Sequence, residues 1–268
     1  MIRLVASDLD GTLMGGDQVI SRRVRHAIAR IQRRGITITL ATGRMFCATR
    51  PFAISLGITA PLLCYQGGWI QAPGGDVLHR VPLPHQLADE AIALGRAYHW
   101  HTVLYADGTI YIEEAKYEPE FYAQLLGPDA TVVPSFAAIL ASHQPDKVLY
   151  VADPEAIPGM GEKLRNRFSP AAEVVRSHAM FIEILPQSVN KGNALAWLAQ
   201  YLDVPREEVL AIGDQENDIP MLEWAGIGVA VGNAMPAVKD VANWIAPPVE
   251  EDGAAEALER FVLGQEVV

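Results

Sequence analysis

Residues 2–7 are nearly all apolar, interrupted by Arg3 and ending on Ser7, the pattern of a strand buried on both faces. Across residues 21–34 the spacing changes: apolar side chains fall at 24, 27, 28 and 31, which predicts a helix that Gly35 stops. Two further β-rich runs occupy residues 36–41 and 61–65. Strand, helix, strand, helix, strand is the grammar of a parallel sheet with crossover helices. The far end repeats it, with helices predicted at 193–202, 219–224 and 254–263 and strands at 209–212 and 227–231.

The middle of the chain reads differently. Residues 104–113 form two short β runs around Asp107-Gly108, a hairpin signal. Strands at 147–151 and 181–185 and a helix at 156–167 follow. The expected fold class is therefore α/β, a Rossmann-like doubly wound parallel sheet core with an inserted α+β cap domain. The Pro82/Pro84 pair and Pro186 set the limits: core at 1–83 and 186–268, insertion at 84–185.

Composition narrows the partners. The chain has 268 residues, half of them hydrophobic, enough for one large or two modest domains. With 21 basic against 32 acidic residues the net charge is −11, and no Lys/Arg-rich run occurs. Nucleic acid and anionic membranes are held by clustered basic side chains, so neither is expected as a partner. An anionic substrate would need a metal or a few placed cations. Residues 51–75 carry no charge but are broken by Pro51, Gly57, Pro61, Gly67, Gly68 and Pro73, whereas a membrane span needs about 20 continuous apolar residues. Cys47 and Cys64 fit no zinc spacing and are expected as reduced thiols in or near the core. An informative motif at the eighth residue leaves no room for a signal peptide, so a cytoplasmic setting is expected.

Four segments carry candidate chemistry. Asp8-Leu9-Asp10-Gly11-Thr12-Leu13 follows the first strand directly, and carboxylates at i and i+2 leave a strand on the same side. They repel unless a cation lies between them or one is protonated. Ala41-Thr42-Gly43-Arg44 ends the second strand and offers a hydroxyl and backbone amides to phosphoryl oxygens. Asn190-Lys191-Gly192 opens a helix, where a cation faces the positive end of the dipole unless an anion compensates. Gly213-Asp214-Gln215-Glu216-Asn217-Asp218 follows another strand. Part of it is helix capping, but Asp214 sits at a strand tip like Asp8, and the oxygen-rich set suits a hard cation such as Mg²⁺. Ligands of open α/β sheets bind at the carboxyl ends of strands, so the four segments can converge on one crevice.

In this combination the sequence resembles the haloacid dehalogenase superfamily, specifically its Cof-type phosphatases, over essentially the whole chain. DLDGTL (8–13), ATGR (41–44), NKG (190–192) and GDQEND (213–218) stand as its four motifs, and the tail from VGNAMP onward is similar as well. The resemblance implies that Asp8 attacks phosphorus while Asp10 protonates the leaving oxygen and later deprotonates water. It implies Mg²⁺ held by Asp8, the main-chain carbonyl of Asp10, and Asp214, with Asp218 in support. Leu9 (through its amide), Thr42, Gly43, Lys191 and Asn217 would hold the phosphoryl oxygens, and Arg44 and Gln66 would face substrate. One departure bears on that last contact: many relatives carry Asn-Gly-Ala where this chain has Gln66-Gly67-Gly68.

Other readings remain at this stage. A phosphotransferase or mutase would use the same phosphoaspartate. A phospho-accepting receiver module combines similar residues but lacks an inserted domain, and a silent binding protein would not need the full motif set. The substrate, a small phosphorylated metabolite such as a sugar phosphate, nucleotide or phosphorylated cofactor, is not legible, nor is the oligomeric state. His99, His101, Tyr105 and Tyr117 are candidate contacts in the insertion that no motif ranks.

Overall fold

The computed structural model describes residues 1–118, 120–122 and 130–264; the remaining positions of the expected domain ranges, 119, 123–129 and 265–268, lie outside the described residues. The chain divides into two units. One comprises Met1–Gly43, Thr49–Leu78 and the chain from Asn190 onward, the other Arg44–Ala48 and His79–Val189. The sequence placed the limits near 84 and 185. Arg80 belongs with the second unit because its guanidinium pairs with both Asp107 and Asp146 at 2.7 Å.

The first unit is built on a five-stranded parallel sheet. Its strands are β1 (Leu4–Ser7), β2 (Thr37–Leu40), β12 (Val209–Gly213), β13 (Ile227–Ala230) and β14 (Trp244–Ile245), in the order β14-β13-β12-β1-β2. All four residues of β1 are buried, which is why that run is almost purely apolar. Helix α1 (Arg22–Arg33) is capped by Ser21, whose hydroxyl accepts from the Val24 amide, and it buries Val24, Ala27, Ile28 and Ile31, the stripe read from the sequence. Chain order runs outward from β1 to β2 on one side, and β12 lies on the other, so the strand order switches direction at β1.

The third β run differs from expectation. β3 (Leu62–Cys64) touches the parallel sheet through a single parallel bridge, Ala41 to Leu63, and pairs antiparallel with β4 (Trp69–Gln71). β5 (Val77–Arg80) completes this small sheet. The glycines at 67, 68, 74 and 75 read as turns and concealed one short strand between them and another just after them. Cys64 is buried, but Cys47 is exposed rather than near the core, because it lies on helix α2 (Phe46–Ser55) away from that helix's buried Thr49 and Ala53.

The second unit carries a six-stranded sheet. In sequence its strands are β6 (His101–Ala106), β7 (Thr109–Ile112), β8 (Thr131–Val132), β9 (Pro145–Val151), β10 (Ala172–His178) and β11 (Phe181–Pro186), arranged β10-β11-β9-β6-β7-β8. The β6–β7 hairpin turns at Asp107 (φ 46°) and Gly108 (φ 75°), the two left-handed residues a type I′ turn needs. One face packs Leu104, Val148, Tyr150, Ile182 and Ile184 against the buried side of helices His85–Ala97 and Ile157–Phe168. Tyr105, Lys147 and Glu183 are also buried; Lys147 Nζ donates to Glu183 Oε2 at 2.6 Å and stands 4.4 Å from the Tyr105 ring centre. Of the candidate contacts in the insertion, His101 is buried with Nε2 2.9 Å from the Tyr122 hydroxyl, Tyr117 stacks on Phe121, and the His99 carbonyl accepts from Lys116. Among the described residues no helix is long and apolar enough to cross a membrane.

Candidate active site

Register brings the motifs together. Ser7 lies level with Ile212 on one side and Leu40 on the other, so the chain leaves all three strands at the same height. The residues that follow are Asp8, then Gly213-Asp214, then Ala41-Thr42. Asn190 caps the helix Lys191–Tyr201 by accepting from the Asn193 amide, which puts Lys191 at the first helical position.

There Lys191 Nζ donates to Asp8 Oδ1 at 2.6 Å and to Asp218 Oδ1 at 2.5 Å, with Lys191 only 1% and Asp218 0% exposed. The ammonium in the first turn, unfavourable by about 0.3–1 kcal/mol against the helix dipole, is compensated by two buried carboxylates. Its third donor has no partner among the described residues. Asp218 Oδ2 accepts from the amides of Asp214 and Gln215 at 2.8 and 3.0 Å. Asp214 is fixed by Thr12, whose hydroxyl donates to Oδ1 at 2.8 Å, and by the Gln215 side chain at 2.9 Å on Oδ2. Neither Thr12 nor Gln215 stood among the candidates; both lie inside quoted motifs, but their bond to Asp214 becomes visible only when the strands pair.

Ligand atoms of Asp8, Asp214 and Asp218 all lie within 4.8 Å of one another. Burial pushes the Asp8 carboxyl well above its usual range, Lys191 pulls it down, and Asp218, Asp214 and Asp10 push it up. Burial, with Asp218 next, raises Asp214 to about 6, against the hydrogen bonds from Gln215 and Thr12 and the charge of Lys191. Burial alone would lower Lys191, but Asp218 and Asp8 hold it above the usual lysine range. Three carboxylates thus share one ammonium. The donors are all oxygen, buried and over-negative, which is the chemistry a hard divalent cation fits. The Asp10 side chain stands outside this group and is exposed, while Leu9 is buried and its carbonyl accepts from the Leu13 and Met14 amides.

The second wall is tightly packed. Thr42 is 1% exposed at the end of β2, and its amide donates to the Leu63 carbonyl. Tyr65, Gln66 and Gly67 have successive φ of 53°, 59° and 101°, a left-handed run that two non-glycine residues adopt at a cost of order 1–3 kcal/mol each. That run turns the Gln66 side chain inward, where it is fully buried and its Oε1 accepts from Asn217 Nδ2 at 2.8 Å. A Cβ on Gly43 would lie 2.4 Å from Gln66 Nε2, so any side chain at position 43 would have to displace the Gln66 amide. Arg44, half-buried, is the first residue of the short segment that belongs to the other unit.

A family model described as haloacid dehalogenase-like hydrolase matches residues 5–258. The chain belongs to that family. Among curated haloacid dehalogenase-like relatives it is 31% identical over 265 residues to the 5-amino-6-(5-phospho-D-ribitylamino)uracil phosphatase of Bacillus subtilis, covering 96% of this chain and 97% of that protein. It is 33% identical over 242 residues to the HMP-PP phosphatase of Cronobacter sakazakii, covering 88% and 86%. A solved haloacid dehalogenase-like hydrolase from Bacteroides thetaiotaomicron superimposes with a TM-score of 0.84 at 32% identity, covering 97% of this chain and 99% of that one.

Proposed function

We propose that the protein is a Mg²⁺-dependent phosphatase that hydrolyses phosphomonoesters of small metabolites through an aspartyl-phosphate on Asp8. The observation that carries this reading is the buried group of Asp8, Asp214 and Asp218 around Lys191 at one lip of the sheet. Asp8, Asp214 and the main-chain carbonyl of Asp10 would hold Mg²⁺, with Asp218 steadying Asp214 and Lys191. The ion supplies positive charge that keeps Asp8 ionised and offsets the charge of the phosphoryl group.

The chain's own residues do the rest. A carboxylate meeting a phosphate is repelled by roughly 4 kcal/mol per charge pair at 4 Å with an effective dielectric of 20. The third donor of Lys191, the Leu9 amide, Thr42, Gly43 and Asn217 bind the phosphoryl oxygens and lower that barrier. Asp8 Oδ attacks phosphorus, the bond from phosphorus to the ester oxygen breaks, and the Asp10 carboxyl gives its proton to the departing oxygen. Asp10, now a carboxylate, takes a proton from water, which attacks the phosphoaspartate; inorganic phosphate leaves and Asp8 is restored. Exposure of Asp10 suits a group that must serve both a leaving alcohol and water.

For substrate class, two relatives carry the names of phosphatases acting on small phosphorylated metabolites, and a net charge of −11 disfavours a polyanion. The test is phosphate release over a panel of phosphorylated metabolites. Activity should vanish with EDTA and return with excess Mg²⁺; turnover indifferent to chelation would remove the metal from the reaction.

A further inference from the structure

The loop that follows β13 touches both catalytic strand ends. The Val231 amide donates to the Gly213 carbonyl at 3.2 Å and the Met235 amide to the Asp214 carbonyl at 2.9 Å. Between them lies Asn233, a residue that none of the four motifs contains. Its Nδ2 donates to the Gly11 carbonyl at 2.8 Å, and its Oδ1 accepts from the Val249 amide, also at 2.8 Å. Gly11 directly follows Asp10. It is held at φ +81°, and a Cβ there would fall 2.4 Å from Asp214 Oδ2, so the turn is pressed against Asp214 with no slack on that side. On the other side of Gly11, Thr12 is tied to Asp214. The Gly11 carbonyl is therefore one point at which the turn carrying Asp10 is anchored from outside the four motifs.

We propose that Asn233 is a positioning residue: by holding the Gly11 carbonyl it sets where the Asp10 carboxyl stands, and hence how well a proton reaches the leaving oxygen. This rests on the phosphatase reading. Asn233 is exposed, so its two hydrogen bonds compete with water and contribute little to stability. Their consequence is geometric, and proton transfer is sensitive to displacements of an ångström or less.

A purely structural Asn233 would tie down the C-terminal segment through Val249, and the two roles separate by leaving group. Phenyl phosphate expels a strongly basic phenolate that needs the proton, whereas p-nitrophenyl phosphate expels a weakly basic one that does not. In Asn233→Ala, kcat/KM for phenyl phosphate should fall roughly tenfold further than for p-nitrophenyl phosphate. Asn233→Asp retains an acceptor for Val249 and loses the donor to Gly11, so it should change the ratio of the two esters as Asn233→Ala does, whereas a merely structural Asn233 would leave that ratio unchanged. An equal fall on both esters in Asn233→Ala, or a wild-type ratio in Asn233→Asp, overturns the proposal. Should Asn233→Ala fail to fold, the Asn233→Asp ratio decides; unfolding of both variants also overturns a merely positional role. A wild-type protein that releases phosphate from neither ester sinks the phosphatase reading itself.

Discussion

In the parallel-sheet unit, Lys191 sits between Asp8 and Asp218 with Asp214 close by, at the tips of adjoining strands. In the inserted unit, Lys147 meets Glu183 in the body of an antiparallel sheet, on the strands next to one another, with Tyr105 beneath the ammonium. Both lysines are almost fully buried. The difference lies in the balance of charge. Strand tips release the chain into loops, and several loops can deliver carboxylates to one point, so negative charge accumulates beyond what one lysine neutralises. Mid-strand positions deliver one side chain per register, and there one carboxylate, Glu183, accepts from the ammonium of Lys147. A buried cluster with more carboxylates than ammonium groups implies chemistry, because something must be bound or protonated to complete it; a lysine and a carboxylate meeting across neighbouring strands are explicable by architecture alone.

The sharpest way to break this comparison is at Asp8. Asp8→Asn should lower phosphate release by at least about 10³-fold, because it removes the proposed nucleophile, while the circular dichroism spectrum stays that of the wild type. Retained turnover would move the nucleophile elsewhere. Next in size is the structural pair. Lys147→Met removes the ammonium that donates to the buried Glu183 carboxylate and should cost about 3–5 kcal/mol in urea unfolding, and adding Glu183→Leu should return most of it. A single variant as stable as the wild type would show that the pair is not behaving as buried charge. The smallest expected effect is a pH dependence in the inserted unit. Burial, aided by the nearby Lys116 ammonium, lowers His101 to about 4. The fold therefore prefers the neutral ring: its contribution is complete above the unfolded value near 6.5 and is lost as pH falls from there toward 4. His101→Phe should flatten the decline of the melting temperature over that window, and an unchanged decline would assign it to other groups.

How much of this was legible follows from what each feature depends on. The strand at Leu4–Ser7 and the helix stripe at Val24, Ala27, Ile28 and Ile31 are local patterns, so the sequence displays them directly. Asp8, Lys191, Asp214 and Asp218 could be placed at strand or helix ends one segment at a time, and their convergence required only that the strands be parallel neighbours. What depends on register was hidden. The Thr12 bond to Asp214 spans 202 positions, and the Asn233 bond to Gly11 spans 222. Strands β4 and β5 were masked by the glycines around them, and the facing of Cys47 depends on which side of its short helix is buried.

The left-handed run at Tyr65-Gln66-Gly67 has a consequence for how the sequence can drift. It folds the Gln66 amide into the only volume a side chain at position 43 would occupy. Enlarging residue 43 requires the buried Gln66 amide to move, and shortening residue 66 strips Asn217 of its acceptor. Positions 43, 66 and 217 are thus coupled, so that a substitution at one changes what the other two can carry.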